Sequence, residues 1–283
     1  MHLHEFQAKK LLQRAGLFVP EGVVFCSLEE LEEKWPSWAD AGVWLKAQVH
    51  AGGRGKSGGI LFGADRADIF QKTKVLFSRR IINPQTGPSG LPVQYILLSK
   101  PVSILREQYF SITFSPTKKK YLILATKNGG MEIETIPSHQ MLELPVPSEK
   151  KLHSYHHLLL QKQMGWGKIG AALTDNLLRL FFELDCLLLE INPFGEYTEG
   201  NWSALDAKMT LDDNALFRHQ ELKTWQDFGQ LTKQEALAHK MGFSYVSLDG
   251  NIGCLVNGAG LAMATLDLLR LFGGRAATFL DIG

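Results

Sequence analysis

The stretch Val43–Gly59, VWLKAQVHAGGRGKSGG, narrows the possible folds more than any other part of this chain. Val43, Leu45, Ala47 and Val49 alternate with Trp44, Lys46, Gln48 and His50, the period-2 pattern of a strand. The alternation breaks at Ala51–Gly59, where nine residues hold five glycines, one arginine and one lysine. Glycines let backbone N–H groups approach an anion closely, and the two cations add charge, so the loop suits phosphate. Gly55–Lys56–Ser57 does not complete a Walker A motif, because His50 stands where that motif needs its first glycine. Gly53, Gly55 and Gly58 match GxGxxG, but a dinucleotide fingerprint opens a helix. Here Gly59 leads into another apolar run, Ile60–Leu61–Phe62. Strand, glycine-rich loop and strand read as a hairpin lid over phosphates. A flexible, solvated loop is the competing reading.

At 283 residues the chain has length for about two domains, and its 45% apolar content is enough for ordinary cores. A net charge of +1 makes no electrostatic case for nucleic acid or an anionic membrane as partner. Cys26, Cys186 and Cys254 lie far apart without metal or disulfide spacing, which suits a reducing, cytoplasmic setting. The opening MHLHEFQAKKLL carries Glu5 early and lacks an apolar run, so no secretory signal is expected. Leu177–Ile191 is interrupted by Arg179, Glu183, Asp185 and Glu190, so no membrane span is expected there.

Along the chain, residues 4–15 read as an amphipathic helix carrying Phe6, Leu11 and Leu12, stopped by Gly16. Val23–Phe25 is a short strand and Leu28–Lys34 a charged helix. Asp65 is positioned to cap a helix reaching about Arg80. Gln94–Leu98 is an apolar strand, and Glu107–Phe114 pairs with Lys120–Thr126 as a hairpin. Met131–Ile136 alternates again, and 150–163 and 168–184 show helical spacing. Leu187–Ile191 and Trp202–Met209 are two more strands, joined by a turn-rich Gly195–Asn201. Helices at Leu222–Trp225 and Lys233–Met241 look like a connector. Ile252–Val256, Leu261–Leu271 and Ala277–Ile282 then form one βαβ unit, the opening of a parallel sheet. Two parallel strands under one helix cannot bury both faces. The expectation is a domain cut short, or one completed by another polypeptide.

Two groups of residues carry candidate chemistry. Lys46 ends a strand just before the loop, where a long cation reaches a phosphate, or sits at an edge in solvent. Arg54 and Lys56 either neutralise more phosphate charge or are simply exposed. Glu107, opening a strand, is able to accept hydrogen bonds from ribose hydroxyls. In LLLEINP, Glu190 and Asn192 are two apart and leave one face of a strand, while ALDAKM puts Asp206 on a neighbouring one. Carboxylate, amide oxygen and carboxylate make a hard-oxygen set suited to Mg²⁺ shared with phosphates. An edge-strand charge is the plainer alternative, and Lys208 is a candidate partner for Asp206. His153, His156 and His157 read as surface residues, and His50 as a solvent or backbone contact. Asn257–Gly260 follows a strand and opens a helix, a place for an anion. A dinucleotide there would need Asp281 as its ribose partner.

These motifs together resemble the β-subunit family of ADP-forming succinate–CoA ligases. The resemblance is carried by LHEFQAK at Leu3–Lys9, QVHAGGRGKSGG at Gln48–Gly59, GGMEIE at Gly129–Glu134 and LLLEINP at Leu187–Pro193. LDAKMTLDDNALFRH at Leu205–His219 and LDGNIGCLVNGAGLAMATLD at Leu248–Asp267 continue it in order to the end of the chain. It implies an α/β protein. An α+β ATP-grasp domain would occupy residues 1–240, and the first βαβ unit of a flavodoxin-like CoA-ligase domain residues 241–283. It further implies that Lys46, Gly53, Arg54 and Gly55 bind the nucleotide phosphates and Glu107 its sugar end. Asn192 and Asp206 would hold Mg²⁺, Glu190 would stand beside the transferred phosphoryl, and Asn257 would contact the carboxylate substrate. At the purine hinge, where members often carry an acidic residue and a threonine, this chain has Ser99 and Val102, so the backbone would carry most of that contact. ATP is the implied nucleotide, with Pro20 in line with ATP-using members and GTP an open alternative. The partner would be an α subunit that carries the phosphorylated histidine and binds CoA. Members of the family continue through the rest of the second sheet and a further glycine-containing substrate loop, so the chain is expected to be truncated. Malate or citrate in place of succinate, and a non-catalytic nucleotide-binding or assembly module, remain alternatives.

Overall fold

A computed structural model describes every residue except Met131 and Glu132, and all other side chains except those of Glu134, Lys168 and Ile169. The chain divides into two compact units, Met1–Gln226 and Asp227–Gly283.

The first unit opens with α1 (Glu5–Arg14), β1 (Gly22–Phe25), α2 (Leu28–Glu33), β2 (Val43–Gln48), β3 (Ile60–Gly63) and α3 (Arg66–Ser78). A short pair, β4 (Arg80–Ile81) and β5 (Leu91–Pro92), precedes β6 (Tyr95–Ser99). Strands β1, β6, β2 and β3 form an antiparallel sheet in that order. Opposed residues of an antiparallel pair share a face, so the pairings Leu45↔Leu98 and Lys46↔Leu97 sort the sheet. On one face Phe25, Leu45, Ala47, Ile96 and Leu98 are closed over by Leu31 of α2 and by Ile69 and Leu76 of α3. The other face carries Trp44, Lys46, Gln48, Leu97 and Ser99. The alternation expected over β2 is present, and the glycine-rich loop does return as a strand. Asp65 caps α3 as expected, its side chain accepting the Asp68 N–H at 2.9 Å.

The second sheet is built from β7 (Arg106–Ser115), β8 (Lys120–Thr126), β9 (Leu142–Pro145), β10 (Cys186–Thr198), β11 (Asn201–Ala204) and β12 (Ala207–Leu211). Helices α4 (Ser154–Met164) and α5 (Lys168–Glu183) intervene, and α6 (Gln220–Lys223) follows. The order is β11-β10-β7-β8-β9, with β12 also paired to β10. The hairpin β7–β8 is the one expected from sequence, with Tyr109↔Thr126 through Ser115↔Lys120 in register. Its core combines Phe110, Ile112 and Ile123 with Leu11 and Leu12 of α1, Leu177 and Phe181 of α5, and Trp166.

Several expectations change. The strand at Leu187 does not stop at Ile191: β10 runs to Thr198 through Asn192–Pro193, whose peptide bond is cis. Proline has no N–H for the ladder, and the register against β7 shifts between Ile191 and Phe194. The single strand expected over Trp202–Met209 is two, interrupted at Leu205–Asp206 opposite that proline. There the Leu205 N–H donates to the Pro193 carbonyl and the Asn192 N–H to the Asp206 carbonyl, both at 3.2 Å. Of Met131–Ile136, expected as a strand, Met131 and Glu132 lie outside the described residues, and Ile133–Thr135 form a 3₁₀ turn. His156 is buried rather than on the surface, because its Nδ1 accepts the His153 N–H at 3.0 Å and caps α4.

The second unit contains α7 (Lys233–Lys240), β13 (Ser244–Ser247), β14 (Ile252–Val256), α8 (Ala259–Leu271) and β15 (Ala276–Asp281). Strands β14 and β15 are parallel with α8 as crossover, the βαβ unit read from sequence. The strand β13, not anticipated, joins β15 antiparallel and makes the sheet three-stranded and mixed. One helix covers one face, and Leu255, Leu261, Met263, Leu271 and Phe272 are exposed. Among the described residues no helix is long and apolar enough to cross a membrane.

Phe110 is fully buried against Trp166 and Phe194, at ring-centroid distances of 5.7 and 6.1 Å. Phe110→Ala is expected to lower the stability of the first unit by about 3–5 kcal/mol, read as a shift in the urea midpoint.

Candidate functional site

The N-terminal helix positions the site. Ahead of α1, the Leu3 N–H donates to the Met209 carbonyl of β12 at 3.0 Å. Within it, the Phe6 N–H donates to Gln48 Oε1 of β2 at 3.2 Å. The start of α1 is therefore tied to both sheets, and Glu5 lies between them with its side chain 1% exposed. Glu5 Oε1 accepts from Lys9 Nζ at 2.7 Å and Lys46 Nζ at 3.0 Å, and Oε2 from Arg54 at 2.6 Å. Both lysines also donate to the Leu205 carbonyl, at 2.8 and 2.6 Å, at the interruption between β11 and β12. Arg54 further donates to the Ala47 carbonyl at 2.9 Å and to both oxygens of Asp206 at 2.7 Å.

Burial dominates the electrostatics and charge pairing offsets it. Burial works to raise the Glu5 carboxyl, but Lys46, Lys9 and Arg54 together hold it well below the usual carboxylate range. Burial lowers the Lys9 ammonium to about 8 against the attraction of Glu5. For Arg54, Asp206 and Glu5 outweigh burial and raise its pKa, so it stays cationic. Two carboxylates meet three cations here, which leaves one positive charge in excess.

Against this network lies a cleft of about 120 Å³ lined by His50, Gly53, Arg54, Glu190, Asn192 and Asp206 among others. Pockets for whole drug-sized ligands run to roughly 300–1,000 Å³, so this one is sized for a phosphate end and an ion. Asn192 Oδ1 accepts the Gly130 N–H at 2.7 Å, and Asp206 Oδ1 accepts the Ala207 N–H at 2.8 Å. An amide oxygen and a carboxylate are hard donors, and a carboxylate has about four lone-pair sites, so Arg54 does not exhaust Asp206. That donor set fits Mg²⁺, which keeps waters and phosphate oxygens as its remaining ligands. A second cleft of about 450 Å³ is lined by Lys9, Lys10, Pro20, Gly22, Val24 and Leu97 among others. Leu97 is the partner of Lys46 across β2 and β6, so this cleft opens on the sheet face that carries Lys46.

The structure brings Gly53, Arg54, Glu190, Asn192 and Asp206 to one cleft, with Lys46 joined to them through Glu5. Arg54, read as a loop cation, is buried. Asp206 pairs with Arg54 rather than with Lys208, which stands opposite Glu190. Gly55 lies in the same loop, where Gly58 N–H donates to its carbonyl at 3.2 Å. Glu107 is exposed at the start of β7, and its carbonyl accepts the Gly129 N–H at 3.2 Å, next to the Gly130 that bonds Asn192. Ser99 is buried at the end of β6 on the Lys46 face, and Val102 follows half-buried. Asn257 belongs to the second unit, exposed between β14 and α8. Asp281, the possible ribose partner, accepts the Gly258 and Gly283 N–H groups at 2.7 and 3.1 Å and so holds that turn.

Sequence reasoning missed Glu5 and Lys9. Four apart on a helix, they look like an ordinary surface pair, a contact of small energy. Their register was the available signal: Glu5, Ala8, Lys9 and Leu12 follow i, i+3, i+4, i+7 and share the buried stripe. Removing one partner of a buried ion pair leaves uncompensated charge, so Glu5→Ala is expected to cost about 3–5 kcal/mol. Because the Glu5 carboxyl is depressed in the folded state, its stabilising contribution is present above its ordinary value of 4.5 and is lost as pH falls below it. Urea midpoints measured on acidification should therefore fall less steeply in Glu5→Gln than in the unaltered chain.

Residues 2–196 match the ATP-grasp domain family. The chain is 44% identical over 290 residues to the ADP-forming succinate–CoA ligase subunit beta of Protochlamydia amoebophila (strain UWE25), covering all of this chain and 75% of that one. It is 43% identical over 295 residues to the same subunit of Chlamydia muridarum (strain MoPn / Nigg), with the same coverage. Among solved structures it is similar to ATP citrate lyase from Methanothrix soehngenii in complex with citrate and coenzyme A. That match has a TM-score of 0.70 and 19% identity and covers 99% of this chain and 71% of the other, a likeness of fold. The ATP-grasp match over residues 2–196 and the 43–44% identity to these subunits along the whole chain make it a member of the β-subunit family of ADP-forming succinate–CoA ligases.

Proposed function

We propose that the chain binds a Mg²⁺-nucleotide between its two sheets and passes the γ-phosphoryl to a histidine of an α-subunit partner, on the way to succinyl-CoA. The observation that carries this reading is the Lys9–Glu5–Lys46–Arg54–Asp206 network, which joins the two clefts and has one positive charge in excess. The purine would occupy the larger cleft, near Pro20, Ser99 and Val102, with Glu107 at the ribose. Lys46, Arg54 and the amides of Gly53 and Gly55 would take the phosphates. Asn192 and Asp206 would hold Mg²⁺, which when bound neutralises phosphate charge. Phosphoryl transfer needs positioning and charge stabilisation more than covalent chemistry from the protein, and these residues supply both. Glu190 lines the phosphate cleft, where it would orient the incoming imidazole of the partner. Asn257 would meet the carboxylate substrate and the partner would bring CoA. Residues 1–240 would serve as the nucleotide-binding domain and 241–283 as the opening of the CoA-ligase domain, with α7 as a connector that clusters with the second unit. ATP is the preferred nucleotide in this reading, and a cytoplasmic setting is supported by three cysteines that are free thiols.

Calorimetric titration of ADP with Mg²⁺ tests the base of the proposal. The unaltered chain should bind. Lys46→Met and Asp206→Asn should each weaken binding about tenfold or more, equivalent to about 1.4 kcal/mol, with circular dichroism unchanged. Absence of binding by the unaltered chain, or full affinity in both variants, would sink it.

A further inference from the structure

We propose that Glu5 is a positioning residue for the phosphates: its carboxylate holds Lys46 and Arg54 in place and aimed at one end of the nucleotide. The inference rests on the nucleotide reading above and concerns a residue outside the phosphate loop and the oxygen cluster. Lys46 comes from β2, Arg54 from the glycine-rich loop and Lys9 from α1, and Glu5 is the acceptor common to all three. A lysine chain has several rotatable bonds and a strongly hydrated head, and it holds one position only when it is anchored. Lys46 Nζ is anchored twice, to Glu5 at 3.0 Å and to the Leu205 carbonyl at 2.6 Å. Arg54 is anchored by Glu5, the Ala47 carbonyl and Asp206. When Asp206 engages a metal ion, Glu5 remains as the carboxylate that keeps Arg54 from turning. Glu5 itself is held from both sides, its two oxygens divided between Lys46 and Lys9 on one side and Arg54 on the other, with Gln48 Nε2 3.5 Å from Oε2. Charge-assisted contacts of this kind, aimed before the ligand arrives, lower the ordering cost of binding it.

A positioning role separates from a merely structural one by comparing ligands with and without phosphate. Mg²⁺-ADP affinity is read by calorimetry and adenosine affinity by ligand-observed nuclear magnetic resonance, on the full chain and on Glu5→Gln. The expected result is an ADP affinity weaker by about tenfold or more with adenosine affinity unchanged. Glu5→Asp keeps the charge but is one methylene shorter, too short to reach Lys46 and Arg54 together. It is the second variant where Glu5→Gln does not melt cooperatively, and the same selective loss of ADP affinity is expected. Equal loss for both ligands, or full ADP affinity in a folded variant, overturns the proposal while the nucleotide reading stands. Failure of the unaltered chain to bind ADP removes both.

Discussion

A single buried carboxylate, Glu5, holds the nucleotide-binding unit together at its working end. Taking an ion out of water costs several kcal/mol, and this is offset only when partners surround it with good geometry. Three cations do so, each from a different element. The consequence is that α1, β2, the glycine-rich loop and the interruption between β11 and β12 cannot shift independently. Two carboxylates among three cations leave the cluster one positive charge from balance, and a polyanion in the adjoining cleft would restore it.

The second device is the paired interruption of two strands. Pro193 has no N–H for the ladder, so β10 changes register there, and the facing chain leaves the ladder at Leu205–Asp206. The backbone groups freed on each side bond across to one another. As a result Asn192 and Asp206 stand at one level beside the glycine-rich loop, while the Leu205 carbonyl turns to two lysines. A hard-oxygen site thus comes from two strands that each depart from ideal pairing at the same place. Departures of this sort concentrate at functional sites, because regular strands satisfy their polar groups internally and have none to offer.

The likeness to ATP citrate lyase is a likeness of fold, and fold alone does not assign chemistry. What assigns it is agreement between two levels. Sequence similarity along the whole chain points to one family, and the cleft brings together cations, an amide oxygen and carboxylates, the groups on which the proposed nucleotide site rests. The chain spans about 75% of the length of the curated relatives it matches.

Period, turn chemistry and motif were legible in the chain by itself. The alternation of Val43–Val49, the Asp65 cap, the β7–β8 hairpin and the β14–α8–β15 unit all follow from local stereochemistry, which needs no knowledge of distant partners. Lys46, Arg54, Asn192 and Asp206 were legible as candidates because phosphate and Mg²⁺ demand cations and hard oxygens in recognisable settings. Tertiary structure decided which side chains those groups meet. Arg54, legible as a cation for phosphate or for solvent, is buried between Glu5 and Asp206, and Glu5 and Lys9, which carried no reading as a site, join it there. Burial and partnership depend on elements that pack from 40 to 200 residues away, and a residue's own neighbours in sequence carry almost no trace of them. The same holds for the split at Leu205–Asp206, which is dictated by a proline on the facing strand rather than by anything in Trp202–Met209 itself.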